Sequence, residues 1–498
     1  MLKHHFTLIC IALALAAPLV AAQEKGAVDS TLLARFEKRA TDDPNLTRMI
    51  NAATNNDIKD LSLNRELIRT HDSRFNFEVK ATGIIDQKSS GRCWVFAGAN
   101  AITPRVMNKL KLSDFNLSEA YLAFWDKLEK SNFFLETMIQ LRDRNIDDRS
   151  LQMWLEAPMG DGGWWSYFEK LIRKYGAIPA SAMPETKQSS STGRVNDLLN
   201  TLLRKTTAEI RRMHRAGKKE QDLRQYKENV LADVYKLLVC AYGQPPKEFV
   251  FRYEEEQKSV DTVGKIGEAT DTTAAKTADT DSTKAKTKKL VDRHFTPQSF
   301  FNEFYGDMTT EYVALVHNPA MNDATLYELI GNRNVFEDSD VRFLNLPIAK
   351  LKEYSYKMIL DSQIVWFACD VSRDNYRDSG MFAVNIYDYS TTLGIDFRTN
   401  KTDRISYRDM TPNHAMVLLA VDTTEAGAPR KWRVENSWGS STGSGGYWTM
   451  YDSWFDENVL LVIVDKRLLS EADAALFDQK PVVLEYWQPF FRALTRLQ

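Results

Sequence analysis

Two textures of apolar and polar positions divide the chain. From Trp94 to about Lys236 the apolar residues recur at helical spacing. In "SEAYLAFWDKLEKSNFFLETMIQLRD" the positions Tyr121, Phe124, Trp125, Leu128, Phe133, Leu135 and Met138 form an aromatic stripe, with Ser118 placed to cap its start. In "APMGDGGWWSYFEKLIRKYGAIPA" a glycine turn opens onto a helix that should stop at Gly176, and charged helical sequence continues from Arg194 to Cys240. From "VRFLNLPI" onward the runs become short and β-rich. "SQIVWFACDV", "HAMVLLAVD", "RKWRVENSW", "GGYWTMYD" and "VLLVIVDK" follow one another with turn residues between them. Helices first and strands later predict an α+β fold with segregated halves.

Three stretches fall outside this scheme. Residues Asp29 to Arg69 are polar and helix-compatible, and read as an N-terminal arm without a chemical motif. Glu254 to Lys289 contains no aromatic residue and is dominated by Thr, Ala, Lys and Asp, too little apolar area to offset the entropy of ordering it. It is expected to be a disordered surface insertion. The opening "MLKHHFTLICIALALAAPLVAAQEK" joins a basic start to an apolar run and small residues at Val20 and Ala22, as an export signal does. Pro18 and the polar Gln23, Glu24 and Lys25 stop that run short of the roughly 20 residues a membrane span needs. The expected organisation is a signal over 1–22, an arm over 23–70, a helical half over 71–253, the disordered insertion over 254–292, a β-rich half over 293–475 and a tail over 476–498. The mature product should be soluble, without a membrane span, and either periplasmic or extracellular.

At 498 residues the chain exceeds one ordinary core, so several domains or large insertions are expected. With 65 basic against 67 acidic residues, no field of one sign points to nucleic acid. The run "RRMHRAGKK" is basic only in isolation, because acidic neighbours make it a solvated helix face. Cys93, Cys240 and Cys369 remain after the signal, and an odd number cannot all pair internally.

Which of these cysteines could attack rather than pack depends on the available partners. A reactive thiolate needs a base beside it and a third group to orient that base. His71 lies in the polar arm, His214 on the charged helix, His294 beside the insertion, and His317 and His414 in apolar settings. His414 starts the strand "HAMVLLAV" after the turn "TPN", where a rigid strand end can aim an imidazole. Asn436 ends another strand, and its amide could accept the imidazole N–H beneath Trp438. Gln87 could donate to a developing oxyanion together with the Cys93 N–H, and Gly91 could admit a close backbone approach. Taken singly, each has an ordinary structural reading: a buried cysteine, a satisfied histidine, a turn asparagine.

Together the segments "DQKSSGRCWVFA", "NHAMVL" and "WRVENSWG" resemble the papain-like cysteine peptidases, specifically the bleomycin hydrolase and aminopeptidase C family. The order Gln, Cys, His, Asn agrees, as do "DGGWWSYFEKLIRKYGAIPASAMPET" and "YDSWFDENVLLVIVDK", so the resemblance runs from about Arg74 to Asp465. It implies a papain-like fold whose helical half carries Cys93 and whose β-rich half carries His414 and Asn436. Cys93 would be the nucleophile, His414 the base and then the acid, Asn436 its orienter, Gln87 the oxyanion-hole donor and Trp438 a shield. Asp161, Gly162 and Gly163 would line the cleft and bind substrate. Peptides would be the substrates and no metal or organic cofactor would be needed. The family also implies a homo-oligomer, a hexameric ring.

This chain departs from that pattern in three places. Family members are mostly intracellular, whereas this one carries an export signal. Papain-type secreted relatives place a disulfide cysteine three residues before the nucleophile, where Ser90 stands here. In the family a short tail carries its terminal carboxylate to the substrate amine and so makes an aminopeptidase. The tail "YWQPFFRALTRLQ" keeps Trp487 and Pro489 but follows them with Phe490, Phe491 and Arg492. Aminopeptidase action is expected, with endopeptidase or oligopeptidase action the alternative if the bulkier tail leaves the amine site empty. An inactive binding or scaffold protein is the reading from another class.

Overall fold

In the computed structural model, residues 26–80, 83–256, 288–306, 312–488 and 490 are described. The expected signal and most of the insertion and tail tip lie outside them. The chain forms two compact units. The smaller joins the residues up to Arg65 to Tyr387–Arg398. Its helices Ser30–Thr41, Leu46–Ala53 and Ile58–Leu61 show that the expected arm is a helical assembly, completed by a segment from the β-rich half. The signal that could have found it, a partner segment more than 300 residues later, is not local.

The larger unit comprises Glu66–Ile386 and Thr399–Gln498. Its helical part begins with α1 (Cys93–Ile102), whose residues from Cys93 to Asn100 are all buried. An almost entirely apolar helix of this kind is stable only inside a core. Helix α2 (Glu119–Gln140) starts where expected, with the Ser118 hydroxyl accepting the Tyr121 N–H at 3.1 Å. Trp165–Tyr175 ends at Gly176, whose φ of 78° is open to glycine. Gly193–Arg215 and Glu220–Tyr242 complete the helical insertion, and both pack on α2.

Four strands of one sheet position the site: β1 (Val365–Cys369), β2 (His414–Thr423), β3 (Pro429–Glu435) and β4 (Tyr447–Tyr451), adjacent in that order and antiparallel. Beyond β1 the sheet continues through Val459–Asp465, Tyr312–Val316, Val341–Asn345 and Thr325–Leu329 to Val482–Leu484. Strand β2 is buried along its whole length because α1 and Ile348–Leu360 both pack on it. The expected α+β architecture, helices first and the strand-rich half later, is present.

The disordered insertion expected over 254–292 is ordered at both ends. Phe249–Glu256 and Lys288–Phe295 pair as an antiparallel hairpin, so residues 254–256 and 288–292 are strand. Phe249, Phe251 and Phe295 pack on Phe300, and Arg252 meets Asp292 across the ladder at 2.6 Å. Cross-strand pairing supplies what composition alone lacked. Residues 257–287 lie outside the described set.

Candidate active site

Helix α1 begins at Cys93 itself. Its first turn has no side-chain cap: the Val95 and Phe96 N–H groups return to the Arg92 carbonyl at 2.9 and 3.2 Å. The N–H groups of Ala415, Trp94 and Cys93 bear on the sulfur and favour its thiolate. Ala415 follows His414 directly, so the packing of α1 against β2 brings the sulfur to the histidine's own strand end. No hydrogen bond joins Cys93 to His414 among the described residues; such pairs commonly tighten only around substrate.

The antiparallel pairing of β2 and β3 puts the start of one and the end of the other at the same edge of the sheet, which is why residues 22 positions apart meet. His414 Nε2 lies 2.9 Å from Asn436 Oδ1, which also accepts the Ser437 N–H at 2.8 Å. An amide oxygen at Nε2 keeps the proton there and leaves Nδ1 as the nitrogen able to exchange a proton. Trp438 stacks on the imidazole with ring centroids 4.8 Å apart and covers that bond. Burial pushes the Cys93 thiol up to about 11 and the His414 imidazole down to about 4. Either charge alone is therefore opposed. Moving the proton from sulfur to imidazole makes both charges at once, and their attraction offsets part of the desolvation.

Gln87 is clamped on three sides. Its N–H donates to the Ser437 carbonyl at 2.8 Å, the Ser437 hydroxyl donates to its Oε1 at 2.6 Å, and its Nε2 donates to the Ser90 carbonyl at 2.5 Å. The Ser90 hydroxyl returns to the Gln87 carbonyl at 2.7 Å and accepts from Arg92 Nε at 3.0 Å. Arg92, buried, forms a bidentate pair with Glu185 at 2.9 and 2.8 Å. Ser90 and Ser437 were not legible as site residues, because a serine in a polar turn carries no signal of its own. Where papain-type relatives cross-link this loop covalently, hydrogen bonds hold it here.

The "DGG" turn is placed differently from expectation. The Asp161 carboxylate faces inward, buried, and accepts from Lys127 Nζ at 2.7 Å, Asn196 Nδ2 at 2.9 Å, the Gly91 N–H at 2.8 Å and the Thr192 hydroxyl. Its carbonyl takes the Trp94 indole N–H at 2.6 Å. Asp161 thus anchors the nucleophile loop and has no oxygen to spare for substrate, and Gly91 spends its N–H on that anchor. The Gly162 carbonyl accepts from Lys130 at 2.6 Å. A Cβ at Gly163 would stand 2.6 Å from the Trp94 ring, so only glycine allows this approach. A cleft borders the turn at Gly160, walled by Trp154, Tyr167, Arg333 and Tyr486.

Of the other candidates, His317 is satisfied by the Leu346 carbonyl at 3.0 Å. Cys240 and Cys369 are both free. Cys369 is buried opposite His414 in the β1–β2 ladder, with its sulfur 3.9 Å from the His414 carbonyl oxygen. Among the described residues no group of three or more His, Cys, Asp or Glu could hold a metal ion, and no helix is long and apolar enough to cross a membrane.

The profile of the Peptidase C1-like family matches residues 27–281 and 279–491. Aminopeptidase C of Lactobacillus helveticus is 32% identical over 93% of this chain and 97% of that protein. Aminopeptidase C of Lactococcus lactis subsp. cremoris is 34% identical over 83% of this chain and 88% of its own length. The crystal structure of PepW from Lactobacillus rhamnosis superposes with a TM-score of 0.84 at 32% identity, covering 94% of this chain and 99% of that one. With most of the chain covered by both sequence and shape, the chain belongs to the Peptidase C1-like family and is a cysteine-type peptidase similar to aminopeptidase C.

Proposed function

We propose that the chain is an exported aminopeptidase working through Cys93, His414 and Asn436. The observation that carries the mechanism is the His414–Asn436 bond under Trp438, on the strand end whose next N–H bears on the Cys93 sulfur. The thiolate attacks the peptide carbonyl, and the oxygen takes up negative charge between the Cys93 N–H and the second Nε2 hydrogen of Gln87. The C–N bond breaks as His414 gives its proton to the leaving amine. Water, deprotonated by His414, then splits the thioester and restores the thiol. Ser90, Ser437 and the Arg92–Glu185 pair act as positioning groups for Gln87. Ser90→Ala removes two hydrogen bonds from that clamp and should lower kcat about 10-fold with KM little changed, as steady-state assays would read. An unchanged kcat would separate Ser90 from the oxyanion hole.

Export rests on the sequence of residues 1–22, and assembly into a homo-oligomer on the family resemblance. Specificity for a free amine rests on similarity to aminopeptidase C and on the course of the tail. Val482–Leu484 adds to the sheet edge beside Thr325–Leu329, and Tyr486 packs on Trp154 with centroids 5.1 Å apart, in the cleft that reaches Gly160. Tyr486 thereby brings the described part of the tail to the cleft that borders the turn carrying Asp161, Gly162 and Gly163. Acetylating the N-terminus of a good peptide substrate should then cut kcat/KM by about 30- to 100-fold, the loss of one charge-assisted pairing. Equal cleavage of free and acetylated peptides would favour the endopeptidase alternative.

A further inference from the structure

The mechanism accounts for the imidazole under Trp438 but not for the cation on the same indole. The Arg377 guanidinium carbon stands 4.8 Å from the Trp438 ring centroid, the same separation as that of the His414 ring. Arg377 belongs to the turn between the short strands Asn375–Tyr376 and Met381–Phe382. Its carbonyl accepts the N–H groups of Gly380 at 3.3 Å and Gly443 at 2.9 Å, which fastens that turn to the glycine-rich loop after Trp438. Both glycines have positive φ, 65° and 63°, and a Cβ on Gly443 would stand 2.7 Å from the Tyr447 carbonyl oxygen. The backbone under Arg377 is therefore fixed, and the exposed side chain lies on an aromatic platform.

No carboxylate pairs with Arg377 among the described residues; the adjacent Asp378 accepts instead from the Tyr376 hydroxyl at 3.2 Å. An exposed arginine held beside a reaction centre without a partner is a recognition group in want of an anion. Its place decides which part of the substrate it meets. His414 must reach the nitrogen of the departing fragment, so groups gathered on the indole over His414 lie toward that fragment and away from the acyl half. We propose that Arg377 is a specificity-determining residue that binds a carboxylate on the leaving fragment, either an Asp or Glu side chain or the terminal carboxylate of a short peptide. The inference rests on the peptidase mechanism above for its direction, and on the Arg377–Trp438–His414 arrangement for its charge.

The test compares two peptide pairs with one N-terminal residue held constant: Ala-Glu-Ala amide against Ala-Gln-Ala amide for a side-chain carboxylate, and Ala-Gln against Ala-Gln amide for a terminal one. At low salt the anionic member of at least one pair should be favoured about fivefold in kcat/KM. Arg377→Met should collapse that ratio to about one and Arg377→Lys should retain most of it. No preference in either pair, or a preference that survives Arg377→Met, overturns the proposal. A second readout needs no peptide turnover. Alkylation of Cys93 by iodoacetate relative to iodoacetamide, followed by peptide mapping to exclude Cys240, should fall about fivefold in Arg377→Met, and an unchanged ratio overturns the proposal. An enzyme that alkylates with this charge dependence but cleaves no peptide would instead refute the peptidase mechanism.

Discussion

Replacing Cys93 with alanine should lower kcat by roughly 10⁶-fold while the protein still folds. The sulfur is buried at the head of α1, and alanine keeps the helix and loses only a small side chain, a cost of about 1–2 kcal/mol. Thermal melting should therefore stay within several degrees of the native protein, which separates lost chemistry from lost fold. His414→Ala should fall as far, and the double variant hardly further, because sulfur and imidazole act as a unit and the second removal deletes nothing still in use. Asn436→Ala should cost less, about 10- to 100-fold, since it frees one buried imidazole N–H. Hydrolysis of a fluorogenic aminoacyl amide would read all four. A Cys93→Ala protein within tenfold of native activity would place the nucleophile elsewhere.

What the sequence disclosed about this site and what it hid differ by range. The helical stripe of α2, its Ser118 cap and the stop at Gly176 were legible because each is decided within a turn or two of chain. The segments around Cys93, His414 and Asn436 were legible only together, through their joint resemblance to one peptidase family, because each residue alone had an ordinary structural reading. Hidden were the groups whose role is made by a distant partner. Lys127 and Glu136 look like the polar side of an amphipathic helix, yet both are buried, Lys127 against Asp161 and Glu136 against Lys227. Arg377 lies in an unremarkable polar turn until the fold lays it on Trp438. The Phe249–Phe295 hairpin was masked by the composition of the insertion it brackets. Periodicity reports which face is apolar; it does not report which charge finds a countercharge.

The Asp161–Lys127 pair yields the largest expected loss of stability. Asp161→Ala should destabilise the protein by about 3–5 kcal/mol, because it leaves an ammonium sealed from water with only the Asn196 amide oxygen at 2.5 Å to accept from it. Gly91, Asn196 and Thr192 lose their acceptor in the same step. Adding Lys127→Met should recover much of the loss, since the unpaired charge disappears although the other donors remain; simple additivity would deny that the pair is the cause. Acidity offers a second handle. Burial alone would raise the Asp161 carboxyl, but the Lys127 ammonium with hydrogen bonds from Thr192 and Gly91 outweighs it and holds the group well below the ordinary carboxylate range. The unfolded chain, with a carboxyl near ~3.9, binds the proton first as pH falls. Stability from this pair is then complete above that value and drains away as pH falls from it toward the depressed folded value. The stability gap between the native protein and Asp161→Ala, read by urea denaturation, should consequently be constant down to about pH 5 and narrow progressively as pH falls below about 4. A gap independent of pH, or one below about 1 kcal/mol at neutral pH, would mean that the carboxylate is not what keeps Lys127 buried. Because the same oxygen that meets the Thr192 hydroxyl also holds the Gly91 N–H two residues before Cys93, any folded Asp161→Ala protein should also show a lowered kcat, and Asp161 then joins stability to the placement of the nucleophile.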